Sequence, residues 1–110
     1  MSVHMRSQDG IFGMGVDVPC FSMIQEMVYT YLKDHYRSLE MGLYSHTTDS
    51  FHVYERHFSM LDKIVNNEDE FEAIDIPRIS GVAECDFLLD IKNVKDVPEE
   101  FKFTKWLLED

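Results

Sequence analysis

Apolar and polar residues alternate at the start of the chain. Val3 and Met5 alternate with His4 and Arg6, the period of two that predicts a strand from Ser2 to Ser7 with one buried face. Gly10, Gly13 and Gly15 break the pattern and predict a loop in which backbone can approach a ligand closely. The period then lengthens. Phe21, Ile24, Met27, Val28, Tyr31 and Leu32 recur at helical spacing, with Gln25, Glu26, Lys33 and Asp34 on the opposite face. A long helix is therefore expected from Pro19 to about Tyr36, with Pro19 in its first turn and Asp17 as a candidate cap. Gly42 to Thr48 reads as a strand, Asp49 and Ser50 as a turn, and Phe51 to Tyr54 as a second extended piece. A second amphipathic helix follows, with a stripe of Phe58, Leu61, Ile64 and Val65, ended by Asn66 and Asn67. The acidic stretch from Asn66 to Asp75 reads as a surface loop. Two short helices are expected over Ser80 to Leu89 and Phe103 to Glu109, separated by Lys92 to Pro98.

These elements predict an α+β fold with a few largely antiparallel strands on the long helix. A length of 110 residues suits one domain, 1–110, with a modest core. No apolar run approaches the ~20 residues needed to span a membrane, and Met1 to Gly10 has no apolar segment of the secretory kind. Cys20 and Cys85 fall in segments that read as helical and fit neither a disulfide framework nor a zinc knuckle, so a reducing cytoplasm is expected. Ten Lys and Arg against 21 Asp and Glu give a net charge of -11, and without a concentrated basic stripe a nucleic acid would be repelled. A small anion is different, because one or two well-placed arginines hold a phosphate whatever the global charge.

Several groups can carry chemistry. Arg6-Ser7-Gln8-Asp9 sets a fixed cation beside a hydroxyl at a strand end, which suits either an anion site or a surface pair between Arg6 and Asp9. His52 and Tyr54, two apart on an extended segment, project from one face and can reach one hydroxyl or phosphate; backbone-satisfied, partly buried side chains are the ordinary alternative. His46, His52 and His57 match no familiar metal spacing, so no metal site is expected. Cys20, near a helix start, resembles an activated nucleophile, yet it falls on the apolar stripe, where a small buried residue is expected.

Arg6-Ser7-Gln8-Asp9, with Phe12-Gly13 and then Asp17, resembles the Arg-Ser-x-Asp-x-x-x-Gly signature of the thymidylate synthase and deoxycytidylate hydroxymethylase family. His52-Val53-Tyr54 is similar to that family's His-x-Tyr segment, in the same order and at a matching separation. The resemblance runs from Met1 to Val65 and more loosely through Phe101 to Leu107, which corresponds to the C-terminal half of the family's fold. It implies that Arg6 and Ser7 bind the 5′-phosphate, Arg6 also supporting an attacking thiolate, and that His52 and Tyr54 bond the sugar 3′-hydroxyl. It assigns Asp9 and Gly13 to the cofactor 5,10-methylenetetrahydrofolate. In this family a thiolate adds to C6 of the pyrimidine, and C5 then attacks the one-carbon unit. Hydroxymethylases finish with water and synthases with hydride.

Asp17 stands where family members that act on uracil carry an asparagine. A carboxylate accepts from the exocyclic amine of cytosine but would face the O4 acceptor of uracil, a mismatch of about 1–3 kcal/mol when buried. Asp17 thus points to deoxycytidylate (dCMP) rather than deoxyuridylate (dUMP). The family's Pro-Phe before this position is Gly15-Val16 here, and its Gly-Asp before the His-x-Tyr segment is Asp49-Ser50. The family's nucleophilic cysteine, general-base glutamate and cross-dimer arginines have no counterpart among these residues. The expectation is the nucleotide-binding part of a deoxycytidylate hydroxymethylase that needs an N-terminal partner chain and self-associates. A thymidylate synthase fragment and a non-catalytic nucleotide-binding remnant are the alternatives.

Overall fold

The structure, a computed structural model, describes residues 1–66, 74–90 and 96–109. Residues 67–73 and 91–95, which fall in the expected acidic loop and in the Lys92 to Pro98 connection, lie outside the described residues. The chain is a mixture of short strands and helices that divides into two compact units. One comprises Met1–Gln25 and Gly42–Glu72, the other Glu26–Met41 and Ala73–Asp110.

In the first unit, β1 (Ser2–Met5) pairs with β3 (Ser45–Thr48) and β2 (Gln8–Asp9) with β4 (Phe51–His52), both in parallel. The register is continuous from Ser2↔Ser45 through Met5↔Thr48 to Asp9↔His52, so the two ladders form one ribbon interrupted at Arg6-Ser7. The Asp49 N–H donates to the Met5 carbonyl (3.0 Å) and the Gln8 N–H to the Ser50 carbonyl (2.8 Å), bridging the break. The expectation of mostly antiparallel strands is therefore corrected: every described pairing is parallel. The cause is the connection. Helix α1 (Phe12–Lys33, 22 residues) lies between the two strand segments, and a helical crossover of that length returns the chain in its starting direction.

The start of α1 is a second correction, because the helix begins at Phe12 rather than near Pro19 and includes Gly13, Gly15 and Asp17. Asp9, not Asp17, supplies the cap. Its Oδ1 accepts from the Ile11 N–H (3.1 Å) and its Oδ2 from the Gly13 N–H (3.3 Å), so two donors of the first turn find a carboxylate. Pro19 then sits inside the helix, where its missing N–H leaves the Gly15 carbonyl without the usual intrahelical donor. Gly15 is exposed, which opens that carbonyl to solvent.

The apolar stripe of α1 is only partly covered. Met27 is its one buried residue, whereas Val16, Cys20, Ile24, Val28 and Leu32, spaced by four, form an exposed row. Cys20 is thus an exposed thiol rather than the buried small residue expected of it. Phe58, Ile64 and Val65 of α2 (Phe58–Val65) are exposed as well.

The second unit holds most of the buried side chains: Met27, Ile79, Cys85, Phe101 and Phe103, with Glu84 and Thr104 fully buried among them. Glu84, in the first turn of α3 (Val82–Leu89), accepts from the Ser80 N–H (2.7 Å), the Thr104 N–H (3.1 Å) and the Thr104 hydroxyl (2.9 Å). Thr104 lies in the first turn of α4 (Lys102–Leu108), so one carboxylate serves the N-termini of two helices. Phe87 meets Phe101 edge-on at 5.4 Å between ring centroids, and the Glu26 carboxylate accepts from the Ile79 N–H (2.8 Å). No helix among the described residues is long and apolar enough to cross a membrane.

Candidate functional site

All seven residues that the resemblance assigns to substrate or cofactor lie in the first unit. Arg6 and Ser7 occupy the break in the ribbon, where neither pairs in a ladder and both are exposed. The matched register sets this break beside the start of β4. Ser7 Oγ accordingly lies 3.5 Å from His52 Nδ1, at the outer limit of a hydrogen bond. Among the described residues Arg6 makes no ion pair, so the expected alternative of an Arg6–Asp9 surface pair is absent and the guanidinium is open to an anion.

His52 ends β4 and Tyr54 follows two residues on, just before the short 3-10 turn Glu55–His57. Their rings meet edge-on with centroids 5.0 Å apart, and the Arg56 guanidinium covers the Tyr54 ring at 4.6 Å. His52 and Tyr54 thus stand together, as their spacing implies. His46, His52 and His57 do not converge: no group of His, Cys, Asp or Glu among the described residues could hold a metal ion.

Asp9 and Gly13 have local roles. The Ile11 N–H, foremost, and the Gly13 N–H hold the Asp9 carboxyl below its ordinary pKa, against an opposing push from burial. With both oxygens engaged in the cap, Asp9 offers a pterin only its remaining lone pairs. A Cβ on Gly13 would lie 2.9 Å from Gln8 Nε2 and 3.0 Å from Asp9 Cβ, so the glycine makes room for these two residues. The fit of these two residues to a folate therefore rests on the resemblance alone.

Asp17 lies one turn beyond Gly13 on α1, half-buried. Its Oδ2 accepts from Gln8 Nε2 (3.0 Å), while Oδ1 has no protein partner among the described residues. Gln8 is 2 % exposed, and its Oε1 is 2.8 Å from His46 Nε2. His46 Nδ1 is in turn 2.7 Å from the Tyr44 hydroxyl. Burial, then the nearby Asp17 charge, push the Tyr44 phenol pKa up.

Sequence reasoning missed Gln8, Tyr44 and this use of His46. Alternation on β1 and β3 assigns their faces but not which side chains meet across the ribbon. His57, weighed in the sequence only as a metal ligand, is buried against Phe12, with ring centroids 4.7 Å apart, and its Nδ1 has no hydrogen-bond partner among the described residues. The second unit contains a cleft of about 300 Å³ lined by Glu26, Tyr29, Thr30, Met41, Arg78 and Ile79. It includes none of the candidate residues, and the one carboxylate lining it among the described residues, that of Glu26, accepts from the Ile79 N–H.

No protein-family model matches this chain, no curated protein matches it, and no solved structure matches it.

Proposed function

We propose that the first unit is a pyrimidine nucleotide site and that the chain is the nucleotide-binding part of a cytoplasmic deoxycytidylate hydroxymethylase of the thymidylate synthase type. One observation carries the reading. The ribbon brings the Arg6-Ser7 segment to the His52-Tyr54 segment, with Ser7 Oγ 3.5 Å from His52 Nδ1, although they are far apart in sequence. An unpaired guanidinium and a hydroxyl at the break between the ladders, with an imidazole and a phenol at and just beyond β4, suit a phosphate at one end and a sugar hydroxyl at the other. Asp17, with Oδ1 unengaged, then presents an acceptor suited to the exocyclic amine of cytosine.

These residues bind and orient the nucleotide. The nucleophile comes from outside these 110 residues, and the one-carbon unit from methylenetetrahydrofolate. Two features support a partner polypeptide. Among the described residues each ladder has two strands, whereas parallel sheets are ordinarily wider and covered on both faces. The row of exposed apolar residues along α1 is the kind of surface that a partner or a second copy buries.

Calorimetric titration with dCMP and dUMP, on native protein and on Asp17→Asn, tests the reading. The native chain is expected to prefer dCMP and the variant dUMP, each by about ten- to hundredfold. Binding of neither nucleotide at millimolar concentration would remove the reading; an unchanged preference in the variant would remove Asp17 as the base reader.

A further inference from the structure

The chain from Tyr44 through His46 and Gln8 to Asp17 has a direction. An ionised Asp17 has no proton to give, so the Gln8 atom 3.0 Å from its Oδ2 must be the amide nitrogen. Gln8 Oε1 then faces His46 and can only accept, so His46 Nε2 must carry a proton. In a neutral imidazole this leaves Nδ1 as an acceptor for the Tyr44 hydroxyl, 2.7 Å away. Each group is a donor to the next, and the run ends on the carboxylate.

The reverse polarity does not close, because the Gln8 amide nitrogen also donates to the Asp9 carbonyl (3.3 Å), which can only accept. If Gln8 turned its amide over, its oxygen would face Asp17 Oδ2, and only a protonated Asp17 could satisfy it. His46 would then accept at Nε2 and donate from Nδ1 to Tyr44. The two arrangements differ in what Asp17 offers a ligand: a pure acceptor in the first, a group carrying a proton in the second. Gln8 cannot leave the chain cheaply, because it is 2 % exposed and a buried amide without partners costs about 1–3 kcal/mol.

We propose that Gln8 and His46 are positioning residues that hold Asp17 as a hydrogen-bond acceptor and thereby set the preference for a cytosine over a uracil nucleotide. This rests on the reading of Asp17 as the residue that meets the base. Gln8 occupies one Asp17 oxygen and stops the carboxylate from rotating, which leaves Oδ1 for the exocyclic amine. Gly13 contributes by its missing Cβ, since any side chain there would press on Gln8 Nε2.

The test has two arms on the full chain. Heteronuclear NMR of the imidazole nitrogens should show His46 as the neutral tautomer protonated at Nε2, with Gln8→Met shifting it to a mixture of tautomers. In titrations with dCMP and dUMP, Gln8→Met and His46→Phe should each lower the preference for dCMP by about tenfold, the weight of one buried hydrogen bond. Arg6→Ala should weaken both nucleotides alike. A native His46 protonated at Nδ1 alone would overturn the assigned direction. If Asp17→Asn reverses the base preference while Gln8→Met leaves it unchanged, the proposal is overturned and the reading of Asp17 stands. If native protein binds neither nucleotide, the proposal falls with that reading, and the imidazole spectra still report whether the relay exists.

Discussion

The two units use polar side chains in opposite ways. In the second, Glu84 is fully buried and accepts three hydrogen bonds, so a ligand could reach it only by displacing protein. In the first, Arg6 has no partner among the described residues, Ser7 has one long contact, and Asp17 has one oxygen engaged and one open. A buried and fully satisfied carboxylate stabilises a fold, because removing it strands its donors. A half-satisfied group at a surface costs little to keep and is available for binding. The contrast sets a satisfied core in the second unit against partly engaged polar groups in the first, and under the proposed reading those groups are the ones that bind.

Removing Glu84 should have the largest effect. Glu84→Ala strands the Thr104 N–H and hydroxyl in the core and should cost about 3 kcal/mol or more, read as a lower urea midpoint. Glu84→Gln keeps the shape and should cost less. A loss below about 0.5 kcal/mol for Glu84→Ala, the size of an ordinary surface change, would break the contrast.

Arg6→Ala should behave in the opposite manner, with stability within about 0.5 kcal/mol of native and nucleotide affinity reduced by roughly ten- to hundredfold. Large destabilisation without loss of binding would show that Arg6 serves the fold.

A smaller effect is expected in alkali. The Tyr31 hydroxyl donates to Asp86, and this bond, foremost, raises the phenol pKa from 10.0 to about 12. Because the folded pKa is the higher one, the contribution to stability is complete below pH 10.0 and is lost as pH rises toward about 12. Ultraviolet titration should show a tyrosine ionising at about pH 12, and Tyr31→Phe should abolish that step while the upward shift of Tyr44 remains.

Gly13→Ala should change stability least, because the better helix propensity of alanine, about 1 kcal/mol, opposes the close approach to Gln8. Its signature is local: displacement of the Gln8 amide, visible in the His46 imidazole signals, with lower discrimination between dCMP and dUMP.

Much of the first unit was legible in the sequence. Alternation predicts β1, and the extended reading of Phe51 to Tyr54 correctly sets His52 beside Tyr54, since a period of two leaves no other choice. The three shorter helices fall close to their expected positions, because apolar spacing defines a short amphipathic segment locally. The start of α1 was misread. Gly13, Gly15 and an internal proline argue against a helix by propensity, yet Asp9 caps the first turn and the helix forms through all three.

The sequence by itself located β1, the extended piece at Phe51 and the three shorter helices, and its net charge of -11 disfavours a phosphate polymer. Tertiary structure alone decided that the strands run parallel, that Asp9 caps a helix, and that Gln8 joins His46 to Asp17. The division has a physical cause. Periodicity and side-chain chemistry are local properties written into neighbouring positions, whereas a hydrogen bond from β3 to β2 and on to α1 depends on where the crossover returns the chain. No local pattern records that register.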